Sequence, residues 1–293
     1  RGPAAPASIF LRLYWFMAPQ YTGYGGESIR CALCKMSPMD RRAFLCAAAA
    51  LPAVAGAEGL PNYRTMTRFK PAALPGMPGP YPGQVAAVHA AGCIDTESEK
   101  ADSAVVREMM DRGMLALCGG RDPRDAWARL FMPQDVVGIK VNCSGAPGIM
   151  STPEVVAEIV RNLNAVGVKP AQIWIYERFR NQMDTVRYDR YVPAGVHIEA
   201  AEEGRGGLAR YDPNTYVEVN FFGEEDTRSN LMRVITERFT KIVNVPNMKD
   251  HGASGVTGCL KNIAYGSFSN VARSHAHSKT HTYSFIGTLA MVE

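Results

Sequence analysis

Hydrophobic residues recur along the second half of the chain with two different spacings. Residues 135–142 and 173–176 are short, apolar and rich in β-branched side chains, as buried strands are. Between them, residues 152–167 carry apolar positions three and four apart, the spacing of one helix face. Thr152 can cap this helix and Pro153 fits its first turn. A strand, a helix and a second strand in this order predict a βαβ unit with parallel strands.

Similar but weaker patterns predict further elements on both sides of this unit. They indicate strands at residues 85–88, 196–198, 216–222 and 241–245, and helices at 100–117, around Trp127 and at 229–239. We therefore predict an α/β fold with a mainly parallel, Rossmann-like sheet flanked by helices. An apolar stretch at 285–292 predicts that the fold is C-terminally incomplete and continues after Glu293.

The first 84 residues lack the strand and helix patterns of the rest of the chain. They predict three segments before an α/β domain at 85–293. Residues 39–57 combine Arg41-Arg42, a short apolar run and a small-x-small end, which is typical of a twin-arginine signal peptide. We predict that residues 1–38 are a non-native upstream extension and that 58–84, rich in Pro and Gly, are a linker. The leader predicts a periplasmic or otherwise exported protein whose partner is the twin-arginine export machinery.

Charge and cysteine content narrow the possible functions. The formal net charge is +4, but residues 1–57 supply all of this excess, and the rest has equal numbers of basic and acidic residues. A neutral body does not favour nucleic acid, and the apolar run is too short for stable membrane insertion. Cys31 and Cys34 form a lone pair without a second pair, which argues against zinc or iron–sulfur. The later cysteines are expected to be buried thiols.

The richest chemistry follows the strand predicted at 241–245. Residues 249–262 hold two lysines, one histidine and three glycines, and we predict that a helix begins near Gly255. Glycines let the backbone turn sharply and approach a ligand, and helix-start N–H groups attract anions. A lysine in that first helical turn, Lys261, is a nucleophile or phosphate ligand if other cations lower its pKa, and otherwise an exposed helical lysine.

Polar residues also follow the two earlier strands. Lys140 and Asn142 end the first strand of the βαβ unit, and Glu177 and Arg178 end its second strand. In a parallel sheet these ends share one edge with Lys249 and His251, where open α/β sheets bind ligands. Any single pair is more simply explained as a solvated strand end, but three pairs together favour a site.

A metal site is a separate possibility. His275-x-His277-x-x-x-His281 gathers half of the six histidines into seven residues. This spacing can place two or three imidazoles on one metal ion, although the segment is also rich in Ser and Thr and lacks a nearby carboxylate.

With these motifs the chain resembles the family named domain of unknown function 362. The likeness rests on residues 139–142, the helix starting at Thr152-Pro153, and residues 249–251 through 257–262. This family is largely uncharacterised, so the resemblance implies a fold more than a reaction. Some members carry a ferredoxin-like module, and this chain has no such cysteine run.

A more distant likeness concerns the nickel-pincer lactate racemase family. His251, Gly255, Thr257, Gly258, Lys261 and Gly266 are similar to its cofactor segment. The resemblance implies that Lys261 carries a nucleotide-type cofactor and that His251 exchanges a proton. Glu177-Arg178 replaces a His-Arg pair of that family, and Lys140-Val141-Asn142 replaces its Asp and Thr-Arg-Pro, so two-base racemisation is not expected.

Together these observations predict an enzyme that uses a metal ion or a lysine-anchored nucleotide-type cofactor on a small anionic ligand. Two alternatives are a non-catalytic periplasmic anion-binding protein and a metal carrier. The predicted catalytic residues are His251 as base or metal ligand, Lys249 and Glu177. The predicted cofactor-binding residues are Lys261, Asn262, Gly255, Thr257, Gly258, Lys140 and Asn142, and the predicted metal ligands are His275, His277 and His281.

Overall fold

The computed structural model describes most of the chain after residue 62. The described residues are 10–12, 30–35, 63–70, 79–95, 97–202, 210–220, 226–276, 285–287 and 289. The proposed leader at 39–57 lies outside them.

Strands and helices alternate between residues 137 and 202, and runs of strands stand on either side of this part. The strands are β1 (Phe10–Arg12), β2 (Arg30–Lys35), β3 (Tyr63–Met66), β4 (Gln84–His89), β5 (Val137–Lys140), β6 (Ile173–Phe179), β7 (His197–Glu202), β8 (Tyr211–Val219), β9 (Arg228–Met232), β10 (Lys241–Asn244), β11 (Lys249–His251) and β12 (Gly255–Thr257). The helices are α1 (Ser103–Cys118), α2 (Pro123–Ala128), α3 (Pro153–Ala165), α4 (Arg180–Val186), α5 (Arg233–Glu237) and α6 (Cys259–Ser267).

The main sheet is parallel, as the sequence predicts. Its strand order is β1-β10-β5-β6-β7, and every neighbouring pair in it is parallel. The predicted βαβ unit is β5, α3 and β6. Smaller antiparallel sheets pair β2 with β4, β8 with both β3 and β9, and β11 with β12. The α/β fold class with a mainly parallel sheet flanked by helices is therefore confirmed.

Both faces of the main sheet are covered, and alternate residues of each strand face opposite layers. On β6, Ile173 and Ile175 pack in the core that contains α1, α2 and α3. Trp174 and Tyr176 pack in a second core that contains Ile263 of α6. Burial on both faces explains why the strands are almost continuously apolar.

Two predicted elements differ from the structure. The helix predicted at 229–239 is strand β9 in its first part and the short helix α5 in its second. Residues 228–230 pair with β8, and Leu231 and Met232 enter the second core, so tertiary packing overrides the helical spacing. The helix predicted near Gly255 begins at Cys259, because residues 255–257 form β12.

Cys93, Cys118, Cys143 and Cys259 are free thiols, and all but Cys93 are buried. No helix within the described residues combines the length and apolar character that a membrane crossing requires.

Candidate functional site

A buried ion pair lies where the carboxyl ends of β5 and β6 meet. The Lys140 side chain is 0% exposed, and its Nζ donates to Oε2 of Glu177 at 3.1 Å and to Oδ1 of Asn262 at 3.1 Å. It also donates to the Val141 carbonyl oxygen at 2.5 Å. Oε2 of Glu177 accepts a further hydrogen bond from the Arg178 backbone N–H. A buried charge is tolerated when it has this set of partners.

The strand pattern and one glycine explain how a lysine is accommodated there. On β5, Val137 and Ile139 face the first core, so Lys140 points to the opposite face, where α6 packs. At Gly266 of α6, an added Cβ would lie 1.8 Å from Lys140 Cε and 2.1 Å from its Nζ. The absence of a side chain at position 266 therefore makes the space that Lys140 occupies.

A second set of hydrogen bonds fixes the start of α6 against the sheet. Asn262 Nδ2 donates to Oδ1 of Asn244 at 2.8 Å, and Asn244 Nδ2 donates to the Cys259 carbonyl oxygen at 2.9 Å. Asn244 is the last residue of β10, the neighbour of β5. The helix is therefore attached to adjacent strand ends at its first and fourth residues.

Between β10 and α6 the chain forms the β11–β12 hairpin, which presents polar side chains on one face. Lys249 pairs with Thr257, and His251 pairs with Gly255. Side chains at cross-strand partners and at alternate residues share a face, so Lys249, His251 and Thr257 lie on the same side. Thr257 is buried and its Oγ1 has no hydrogen-bond partner among the described residues.

The loop after β5 contacts the same hairpin. Asn142 Oδ1 accepts hydrogen bonds from the Ser144 backbone N–H at 3.2 Å and from Ser144 Oγ at 3.3 Å. Ser144 in turn accepts from Lys249 Nζ at its carbonyl oxygen and, at 3.0 Å, at its Oγ. Asn142 is buried and thus shapes the loop that holds the Lys249 ammonium group.

Lys261 is the third residue of α6, at the positive end of the helix dipole. It makes no ion pair with any residue in the described ranges, and its Nζ lies 4.9 Å from the ring centroid of Tyr265, one helical turn later. Burial lowers the pKa of Lys261 to about 8. The positive charges of Lys249 and Lys140 contribute to this lowering, whereas the Glu177 carboxylate opposes it.

Two imidazoles complete the arrangement. The ring centroids of His251 and His275 are 5.3 Å apart, and His275 lies 5.3 Å from the Tyr265 ring. Burial lowers the pKa of His251, and the Lys261 charge adds to that effect. Burial and the same lysine also lower the pKa of His275. Lys249, His251, Lys261 and His275 are called the lysine–histidine cluster below.

The predicted metal ligands are only partly described. His277 and His281 lie outside the described residues, and His275 lies beside His251. Within the part of the chain that the structure describes, no three His, Cys, Asp or Glu side chains come close enough to hold a metal ion.

The structure separates the predicted site residues into two layers. Lys140, Asn142, Glu177 and Asn262 are buried and bonded to protein groups, whereas Lys249, His251 and Lys261 are partly exposed. Sequence reasoning missed Ser254 and Tyr265. Ser254 follows His251 by three residues in a tight turn, a spacing typical of local side-chain hydrogen bonds, and Tyr265 follows Lys261 by four residues on a helix.

Comparison with known proteins identifies the family but no function. A family model described as Domain of unknown function (DUF362) matches residues 137–292, more than half of the 293 residues. The chain belongs to this family. The DUF362 match runs from the start of β5 and includes every member of the lysine–histidine cluster. No curated protein and no solved structure matched the chain.

Proposed function

We propose that this protein is an enzyme that binds a small oxyanion, such as a phosphate or carboxylate group, at the lysine–histidine cluster. The observation that carries the proposal is Lys261. Its ammonium group is partly buried at the start of α6, near two other lysines and without an ion-pair partner among the described residues. An anion bound there would relieve the repulsion and lie at the positive end of the helix dipole.

The Thr257 hydroxyl supports the same proposal. A buried hydroxyl without a partner destabilises a protein by about 1–3 kcal/mol, and such groups are uncommon in folded proteins. Thr257 immediately precedes Gly258, the N-cap of α6, and pairs across the hairpin with Lys249. A ligand oxygen at the helix start would provide the missing acceptor.

The buried layer has a positioning role in this proposal. The Lys140–Glu177 pair and Asn262 hold α6 against β5 and β6, which fixes Lys261 one residue earlier on the helix. Glu177 forms an ion pair with Lys140. We therefore assign ligand binding and catalysis to the lysine–histidine cluster, and the positioning of α6 to Glu177.

Inorganic phosphate is the first probe. We expect it to raise the thermal unfolding midpoint of the wild-type chain, because a ligand that binds only the folded state stabilises it. Lys261→Ala should abolish the shift. Lys169→Ala is the matched control, because Lys169 is exposed and precedes β6 at the opposite end of that strand. Equal shifts in all three proteins would refute the proposal.

Thr257→Val separates binding from folding. Replacing the unpartnered hydroxyl by a methyl group should leave the ligand-free protein as stable as wild type or up to about 1 kcal/mol more stable. The same change should weaken phosphate binding, since it removes a donor. A destabilised variant with unchanged phosphate binding would show that the hydroxyl serves the fold.

The same residues fit the phosphate of a nucleotide-type cofactor. The distant likeness to nickel-pincer lactate racemases concerns Lys261, whose pKa of about 8 gives a larger neutral fraction near neutral pH than an ordinary lysine has. Such a cofactor would supply the reactive centre, and Lys261 would anchor it. Intact-mass measurement and metal analysis of protein from an exporting host test this directly: added mass lost in Lys261→Ala supports it, and an unmodified, metal-free chain contradicts it.

A non-catalytic anion-binding protein is the second candidate. The ion pair between Glu177 and Lys140 favours this candidate, because it makes the Glu177 carboxylate less available as a general acid or base. In that case His251→Ala would keep the phosphate-dependent stabilisation that Lys261→Ala abolishes.

We also propose that the chain is exported by the twin-arginine route. The support is Arg41-Arg42 followed by a short apolar run and a small-x-small end. Replacing both arginines by lysine should retain the protein in the cytoplasm, whereas unchanged export would contradict the assignment.

A further inference from the structure

The turn of the β11–β12 hairpin fixes which ring nitrogen of His251 carries a proton. Nδ1 accepts hydrogen bonds from the backbone N–H groups of Ala253 at 3.3 Å and Ser254 at 3.2 Å. A backbone N–H can only donate, so Nδ1 must present its lone pair. In a neutral imidazole the proton is then on Nε2.

The Ser254 hydroxyl does not change this assignment. Its Oγ lies 3.1 Å from His251 Nδ1 and 3.2 Å from the Val256 carbonyl oxygen, and its single proton can serve either acceptor. The two backbone donors remain in both cases. They are held by the turn between β11 and β12, where Ser254 is buried and Gly255 adopts a φ of +69°.

We propose that His251 is held as the Nε2–H tautomer and acts in the proposed site as a neutral hydrogen-bond donor to a ligand oxygen. This inference rests on the proposed function for its ligand, and it replaces the base or metal-ligand role expected from the sequence. Either of those roles needs a lone pair on Nε2. The ring proton would then sit on Nδ1, facing two N–H donors.

The surroundings of the ring agree with a neutral donor. Lys249 lies two residues before His251 on the same hairpin face, Lys261 is on α6, and the His275 ring is 5.3 Å away. Asp250 points to the other face of the hairpin. A neutral ring adds no third positive charge beside the two lysines, and its N–H can still polarise an oxygen.

Nitrogen-15 NMR of histidine-labelled protein without ligand reads the tautomer directly. The His251 signals are identified by their loss in His251→Gln. We expect an unprotonated Nδ1, coupled only to Hε1, and a protonated Nε2, coupled to both ring protons. Ser254→Ala should give the same pattern because it keeps the backbone N–H. A protonated Nδ1 in wild type, or a tautomer reversed in Ser254→Ala, would overturn the inference.

Two substitutions test the donor in binding. The Gln amide can place an N–H near the position of Nε2, whereas the Asn amide reaches only the position of Nδ1. With inorganic phosphate as probe, His251→Gln should stay within about threefold of wild-type affinity, and His251→Asn should lose about tenfold, the equivalent of one hydrogen bond of about 1.4 kcal/mol.

Equal losses in both variants would overturn the donor role. A failure of the proposed function gives a different result. In that case phosphate binds neither the wild type nor the variants, and the NMR experiment, which needs no ligand, still reports the tautomer of His251.

Discussion

Gly266→Ala should destabilise the protein although it replaces glycine inside a helix. The added Cβ would lie 1.8 Å from Lys140 Cε, 2.1 Å from Lys140 Nζ and 3.2 Å from Glu177 Oε2. Carbon atoms in contact are normally about 3.5–4.0 Å apart. Either α6 must move away from the sheet or Lys140 must leave its partners.

The sign of the effect depends on which term is larger. Helix propensity alone predicts that Ala is more favourable than Gly by about 1 kcal/mol. Overpacking a well-packed interior is unfavourable by about 1–3 kcal/mol, and breaking a buried ion pair by about 3–5 kcal/mol. If Lys140 leaves its partners, the clash outweighs the propensity, and we expect a net loss of about 2–4 kcal/mol in the free energy of unfolding.

Urea unfolding of the full chain, followed by far-ultraviolet circular dichroism, measures this loss. Gly113→Ala in α1 is the matched control, because its Cβ would meet only Val88 Cγ2 at 3.1 Å, a contact that a small shift relieves. We expect the control to stay within about 1 kcal/mol of wild type.

A double-mutant cycle identifies the cause. In the Lys140→Ala background the colliding side chain is gone, so Gly266→Ala should add little further destabilisation. The reasoning is refuted if Gly266→Ala is as stable as the wild-type protein, or if the loss is the same in both backgrounds.

Three further predictions concern the same region. Burial lowers the pKa of Lys261 from 10.5 to about 8, so the unfolded chain binds more protons than the folded chain between these two pH values. The free energy of unfolding of the wild-type protein should therefore rise with pH across that window, relative to Lys261→Met. Equal pH profiles of the two proteins would contradict this prediction. Lys140→Met should destabilise the fold by about 3–5 kcal/mol in urea titrations, because Glu177 stays buried without its partner; a loss below about 1 kcal/mol would show that the pair is dispensable. Gly138→Ala places a Cβ 2.3 Å from the Phe239 ring and should destabilise by about 1–3 kcal/mol, with recovery in the Phe239→Leu background; without that recovery, this ring is not the obstacle.

Much of the fold could be predicted from local patterns. The apolar runs of β5, β6 and β10 and the amphipathic α3 between β5 and β6 carry their own signals, and the burial of each element follows from its spacing. The sequence also predicts the edge of the sheet at which the polar strand ends meet, because neighbouring parallel strands align their carboxyl ends.

The elements that depend on distant partners were missed or misplaced. The residues of β9 by themselves predict a helix, because their pairing with β8 is not visible in their own sequence. The β11–β12 hairpin is too short and too polar to show a period, so the sequence predicts the start of α6 four residues too early.

The sequence by itself determined the parallel α/β sheet, the family and the identity of the polar residues at the carboxyl ends of its strands. Only the tertiary structure decided which of them are buried and which remain partly exposed. The physical reason is that a lysine is exposed by default, and its burial requires partners that the chain supplies far away: Lys140 needs the carboxylate of Glu177 and the empty space at Gly266. Lys261 has no such partner among the described residues, so its charge is available to a ligand.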